Sequence, residues 1–128
     1  MPKPLDRDAY NAYCKSLPAA FHVVQWGGAH VWKVGDESQS KVFAIASWGD
    51  RKYAGITFKV SEIAYEYLKD RPGLRPAPYL ASRGMSWIQH HDEPGLSEAE
   101  IKDYLSESHR LVARGFSKRL KRKLGLDA

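Results

Sequence analysis

The sequence predicts an α+β fold: an antiparallel sheet of about five strands flanked by N-terminal, middle and C-terminal helices. Three observations lead there. From Val23 to Val60 apolar and polar residues alternate with a period of two, and β-branched and aromatic residues crowd between turn signals. On either side of this stretch apolar residues recur at three- and four-residue spacing, the period of a helix. The chain has 128 residues, 43% hydrophobic and 27% charged. That length suits one domain, residues 1–128, which hides roughly two-thirds of its unfolded surface without a disulfide or a structural metal.

The elements follow in chain order. Asp6 to Leu17 reads as a first helix, with Ala9, Tyr10, Tyr13, Cys14 and Leu17 on one stripe and Pro18 as its stop. Cys14, on that stripe, reads as a buried structural thiol. Four strands are expected next: Val23 to Trp26, His30 to Val34, Lys41 to Trp48 and Tyr53 to Val60. Their links hold Gly27-Gly28, Gly35-Asp36 and Gly49-Asp50, short enough to make a meander. In the fourth strand Ile56, Phe58 and Val60 share one face. Ser61 offers an N-cap to a helix over Glu62 to Arg71, with Ile63, Tyr67 and Leu68 as its apolar side and Pro72-Gly73 as its end. Pro76 and Pro78 make Leu74 to Leu80 read as extended loop. Ser86 to His91 resumes strand alternation. Ser97 and Glu100 form a capping box, and Ile101, Tyr104, Leu105, Ser108, Leu111 and Val112 trace the inward stripe of a long helix. Gly115 interrupts it, and Ser117 caps a short basic helix anchored by Leu120 and Leu124.

Charge gives the chain a direction. The net charge is +5, yet Arg110 to Ala128 holds seven basic residues and one acid, so the rest of the chain is nearly neutral. An anionic partner is expected at that basic end, segment 117–125. Positive charge near a helix C-terminus is also favoured by the macrodipole, so a solvated basic helix is the bland alternative. A single cysteine and an N-terminus without an apolar run point to the cytoplasm, and no stretch is apolar enough for a membrane span.

Catalytic chemistry finds little support. His90-His91-Asp92-Glu93 is the one cluster of ligand-type residues, but strand geometry sends His90 and Asp92 to one face and His91 and Glu93 to the other. His22 or His30 would have to supply a third ligand, and no spacing requires it. No metal and no cofactor is therefore expected. There is no G-x-S-x-G elbow, and Gly27-Gly28 precedes a strand rather than a helix N-terminus, so nucleophilic and nucleotide-binding signatures are missing. The loop tips suit nucleic acid better. Gly49-Asp50-Arg51-Lys52-Tyr53 and Ser82-Arg83-Gly84 each put cations at the end of a link between strands. Trp32, Trp48 and Trp87 sit inside strand patterns and read as packed side chains rather than stacking platforms.

A resemblance adds to these readings. Tyr13-Cys14-Lys15-Ser16-Leu17-Pro18, Trp32-Lys33-Val34-Gly35, Lys41-Val42-Phe43-Ala44, Phe58-Lys59, Arg75-Pro76-Ala77-Pro78-Tyr79-Leu80, Trp87 and Glu107-Ser108-His109-Arg110-Leu111-Val112 follow one another along nearly the whole chain. In this order they resemble the MmcQ/YjbR family of small bacterial proteins. The resemblance implies a domain like that of CyaY and frataxin, with the helices on one face of the sheet. It also implies double-stranded DNA as partner, met by a double wing of β-hairpins in which Arg51, Lys52 and Arg83 are the wing residues. Two features depart from what the resemblance suggests. Asp36 and Glu37 place acids on a neighbouring hairpin, where they repel phosphate, and Asp6 and Asp8 beside Arg7 are a poor version of frataxin's acidic iron-binding edge. The expected function is weak, sequence-tolerant DNA binding, carried by Lys118, Arg119, Lys121, Arg122 and Lys123 with the wings secondary. A protein-interaction adaptor ranks second and a small metal-assisted enzyme third.

Overall fold

The computed structural model describes residues 5–25, 28–47, 55–78, 85–92 and 95–126. Its elements are α1 (Arg7–Lys15), β1 (Ala20–Gln25), β2 (Ala29–Gly35), β3 (Ser40–Ser47), β4 (Gly55–Lys59), α2 (Glu62–Leu68), β5 (Leu74–Pro76), β6 (Trp87–His90), α3 (Glu98–Ala113) and α4 (Lys118–Leu124). The fold is α+β, with one antiparallel sheet in the order β1-β2-β3-β4-β6-β5. The first four strands are the expected meander.

Cross-strand pairing sorts the side chains. Trp32, Ala44, Phe58 and Ile88 lie in one row across four strands, and His30, Ala46, Ile56, His90 and Leu74 in the next. This face is the core, and the helices cover it. Trp32 Nε1 donates to Asn11 Oδ1 on α1 at 2.9 Å, and the Tyr10 hydroxyl donates to the His30 carbonyl at 3.0 Å. From α3, Tyr104 stacks on Phe58 and His109 meets Phe43 edge to face. The other face shows the row Ile45, Thr57, Gln89 and Arg75, in which Arg75 Nε donates to Gln89 Oε1 and Gln89 Nε2 to Thr57 Oγ1.

Between β2 and β3 the register slips by one residue, and Phe43 is the extra one. A bulge of this kind turns two consecutive side chains toward the same face, and both Phe43 and Ala44 are fully buried. It also interrupts the ladder with β4, whose pairing stops at Ala44 and Phe58. A side chain from α3 fills the gap: Lys59 N donates to Ser108 Oγ at 2.8 Å, and Ser108 Oγ donates to the Phe43 carbonyl at 2.7 Å. One hydroxyl thus stands where a strand-to-strand hydrogen bond would otherwise run.

Five expectations need correction. The sheet has six strands, because Leu74–Pro76 pairs with β6 rather than running as loop. Proline is tolerated there since β5 is an edge and needs no outward donor. The middle helix ends at Leu68, short of Arg71, and the first at Lys15, where the Ser16 cap already returns its N–H to Ala12 and Tyr13 ahead of Pro18. On α2, Ile63 is 86% and Tyr67 73% exposed, while Leu68 is buried with Ala64 and Tyr65 packed beside it. A two-turn helix can press only one stripe inward, and this one is offset by a residue. The first strand begins at Ala20, ahead of Val23.

The rest follows the sequence closely. Asp6, Ser61, Ser97 and Ser117 all cap helices, and Ser97 with Glu100 completes the reciprocal box. Trp32 and Trp87 are buried, at 3% and 6% exposure, whereas Trp48 lies outside the described residues. Cys14 is buried, and desolvation holds its thiol well above the ordinary range, so it stays protonated and unreactive. Among the described residues no helix is long and apolar enough to cross a membrane.

The Ser108 bridge is testable by a single substitution. Ser108→Ala leaves the Phe43 carbonyl and the Lys59 amide buried without partners and is expected to lower unfolding free energy by about 1–3 kcal/mol. Urea unfolding followed by circular dichroism measures it; a variant as stable as the parent rules the bridge out as a stabilising feature.

Candidate functional site

The five cations of the basic segment do not act alike. Helix α4 is held by Leu120 and Leu126, which pack against the core, and its left-handed C-cap is Gly125. Leu120, rather than the expected pair with Leu124, is the anchor within the helix that reaches the core, and Leu126 beyond it is the second. That docking points Lys118, Arg119, Arg122 and Lys123 outward as exposed side chains and leaves Lys121 half-buried. Lys123 is spoken for: its Nζ lies 3.3 Å from Asp36 Oδ2 on the β2–β3 hairpin. Lys118, Arg119 and Arg122 have no acidic partner within salt-bridge distance among the described residues.

Asp36 is therefore not the free phosphate-repelling charge that its sequence position suggests. Its Oδ1 accepts from Ser38 Oγ at 2.6 Å, Ser38 N at 2.9 Å and Gln39 N at 3.1 Å, closing the hairpin turn. These hydrogen bonds, with a smaller contribution from Lys123, bring its pKa down to about 2. The carboxylate is thereby held in its charged form, and that charge is turned on Lys123.

Further cations extend the basic surface. Lys41 reaches over the Phe116 ring at 5.2 Å, at the joint between α3 and α4. Arg110 is gripped by Glu107 through Nε at 3.0 Å and a second, terminal nitrogen. None of the six strands contains an aspartate or a glutamate, while Lys33, Lys41, Lys59 and Arg75 all lie on them. The wing residues Arg51, Lys52 and Arg83 lie outside the described residues.

The histidine cluster comes apart. His90 is 4% exposed in the core row, with neither ring nitrogen hydrogen-bonded among the described residues, while His91 is half-buried and Asp92 exposed. Its imidazole lies against Gly95 so closely that a Cβ there would stand 2.2 Å from Nε2. Glu93 lies outside the described residues. His22 and His30 do meet, Nε2 to Nδ1 at 3.0 Å, stacked beside Trp32, but β3 and β4 separate them from His90. Among the described residues no three metal-ligating side chains gather.

Comparison with known proteins places the chain. The YjbR family model matches residues 15–111. The chain belongs to the YjbR family. A crystal structure of Deinococcus radiodurans protein DR2400, which carries the family domain DUF419, superposes with a TM-score of 0.85 at 22% identity, covering 99% of this chain and 94% of that one. At that identity the likeness to DR2400 is one of fold. No curated protein matches the chain. This YjbR-family domain thus carries a solvent-facing basic helix, α4, just beyond the stretch that the family model matches.

Three histidines also set how the YjbR-family fold responds to acid. Burial lowers the pKa of His30, His90 and His109 below the ordinary value near 6.5, with His22 and Arg7 adding to the effect at His30 and His91 at His90. The unfolded chain binds these protons more readily, so stability is full above about pH 6.5 and declines as pH falls below it. Urea unfolding at pH 7.5, 6 and 5 should show that decline, and His90→Leu should make it shallower. An equal slope in parent and variant removes His90 from the account.

Proposed function

We propose that this protein binds nucleic acid, duplex DNA foremost, weakly and with little sequence preference, through the outward face of α4. The observation that carries this reading is the set of three exposed cations, Lys118, Arg119 and Arg122, on one short helix without acidic partners among the described residues. Phosphate contacts of this kind supply affinity without reading bases. The acid-free strands support the same polarity of partner. Arg51, Lys52 and Arg83 add secondary contacts in this reading, and the resemblance to a winged arrangement is what motivates them. The buried, protonated Cys14 is consistent with work in the reducing cytoplasm. Catalysis, metal and cofactor have no part in it.

A second reading has one observation in its favour. Ile63 and Tyr67 stand one helical turn apart on α2, both largely exposed, as an adaptor surface would require. Salt separates the two readings, because phosphate contacts weaken steeply with ionic strength and apolar contacts do not.

Fluorescence anisotropy on a short labelled duplex tests the proposal. Three phosphate contacts give a slope of log K against log salt of about −2.7, steeper by about 0.9 for each wing cation that also reaches a phosphate, with dissociation constants of about 10⁻⁴ to 10⁻⁶ M. Replacing Lys118, Arg119 and Arg122 by glutamine should remove most of that slope. Absence of binding at low salt by folded wild-type protein ends the nucleic-acid reading and leaves the adaptor.

The Asp36 contact gives an independent check. Asp36→Asn frees Lys123, so binding should tighten and the salt slope should grow more negative by about 0.9. Weaker binding by this variant, with the fold intact, contradicts the role assigned to α4.

A further inference from the structure

Lys121 is the α4 cation that does not face outward, and its surroundings form a site of their own. Between the last turns of α3, the α4 helix and the Pro18 turn lies a cavity of about 250 Å³. Pro18, Ala113 and Leu126 give it apolar lining and Arg110, Arg114 and Lys121 cationic lining, with no acid among the described lining residues. Small-molecule sites have this composition, a mostly apolar hollow with a few converging polar groups.

The walls are fixed by named contacts. His109 Nε2 donates to the Pro18 carbonyl at 2.7 Å, tying the turn after α1 to α3. Leu126 N donates to the Lys121 carbonyl at 2.7 Å once Gly125 has turned the chain back in the left-handed conformation. Phe116, buried at the joint, sets how α4 leaves α3. The hollow is thus framed by three anchored segments and does not depend on a ligand to form.

Charge selects the occupant. Glu107 grips Arg110 and neutralises it in part. Neither Arg114 nor Lys121 is ion-paired among the described residues. Glu107 also feels the charge of Arg114, but no carboxylate among the described residues contacts Arg114 or Lys121, and two such cations match a phosphate monoester, which carries close to two charges at neutral pH. Arginine suits it further because its planar fork bonds two phosphate oxygens at once. The volume, about 250 Å³, is below the roughly 300–1,000 Å³ of drug-sized sites and suits a small ligand.

We propose that this notch is a binding site for a small phosphomonoester, its phosphate held by Arg114 and Lys121 and its body laid on Pro18, Ala113 and Leu126. The site stands apart from the outward face of α4 and does not rest on the nucleic-acid reading.

Phenyl phosphate, which joins a phosphate dianion to an apolar body, is the probe, with inorganic phosphate and phenol as its two halves. Titration calorimetry at constant ionic strength and pH 7.5 should show saturable binding of phenyl phosphate, about tenfold tighter than inorganic phosphate, and none of phenol. Arg114→Gln and Lys121→Gln should each weaken it by about tenfold or more, and Arg114→Lys, which keeps the charge and loses the fork, by less. Thermal unfolding confirms that each variant is folded. The variant with Lys118, Arg119 and Arg122 replaced by glutamine should bind phenyl phosphate as the parent does while losing DNA, which separates failure of one proposal from failure of the other. The proposal is overturned if phenyl phosphate does not saturate, or if the Arg114→Gln, Lys121→Gln double variant binds it unchanged. It is equally overturned if phenyl phosphate gains nothing over inorganic phosphate and duplex DNA displaces both, for the notch is then a contact for the DNA backbone.

Discussion

One hydroxyl group organises the middle of this protein. The extra residue at Phe43 takes the β3–β4 ladder out of step, and a bulge that leaves a buried amide and a buried carbonyl unpaired is expensive. Ser108 answers both at once, accepting from Lys59 N and donating to the Phe43 carbonyl. The constraint works in two directions. It lets the sheet keep a bulge that turns Phe43 and Ala44 together toward the core, and it fixes the rotation and height of α3 over the sheet. From that fixed helix follow Tyr104 on Phe58, His109 against Phe43, and the direction in which the chain leaves at Phe116. The placement of α4, and with it the basic surface, is inherited from a contact inside the sheet.

Electrostatics then distributes the cations that the fold has placed. Five basic residues within one short helix would repel one another if all faced the same way. The packing of Leu120 and Leu126 divides them instead. Lys121 turns inward to the notch, Lys123 is occupied by Asp36, and three remain for solvent. The same helix thus shows cations on two of its sides, one toward solvent and one toward the notch. The Asp36 carboxylate takes part twice, as the clasp of its own hairpin and as the counter-charge of α4.

Much of this was legible in the amino-acid sequence, for definite reasons. Helix starts were visible because each N-cap is a local event: Ser61, Ser97 and Ser117 bond within three residues of themselves. The core face of β4 was visible because alternation survives wherever one face is buried. What stayed hidden depends on partners remote in the chain. Ser108 reads as one more residue of an inward stripe, and nothing near it announces a bulge at Phe43, 65 residues away. The β5 strand was obscured because Pro76 argues against any strand, and its edge position is a fact of topology. Ile63 and Tyr67 fit the helical period as well as Ala64, Tyr65 and Leu68 do, and only tertiary packing chooses between the stripes. The candidate site was legible as a density of charge. Its division into outward, clasped and notch-facing cations was not, since that depends on where the β2–β3 hairpin and the Pro18 turn arrive.

The two borders of the sheet are unlike, and the difference governs how this molecule behaves in a crowd. At one border β5 is three residues long and ends in Pro76, which has no amide hydrogen to offer. At the other, β1 runs for six residues without proline, pairs on one side with β2, and shows Phe21 and Val24 to solvent. Foreign strands seeking to extend a sheet are turned away by the first border and invited by the second. The β1 border, and not the β5 border, is thus where the sheet leaves a long row of backbone donors and acceptors without a neighbouring strand among the described residues.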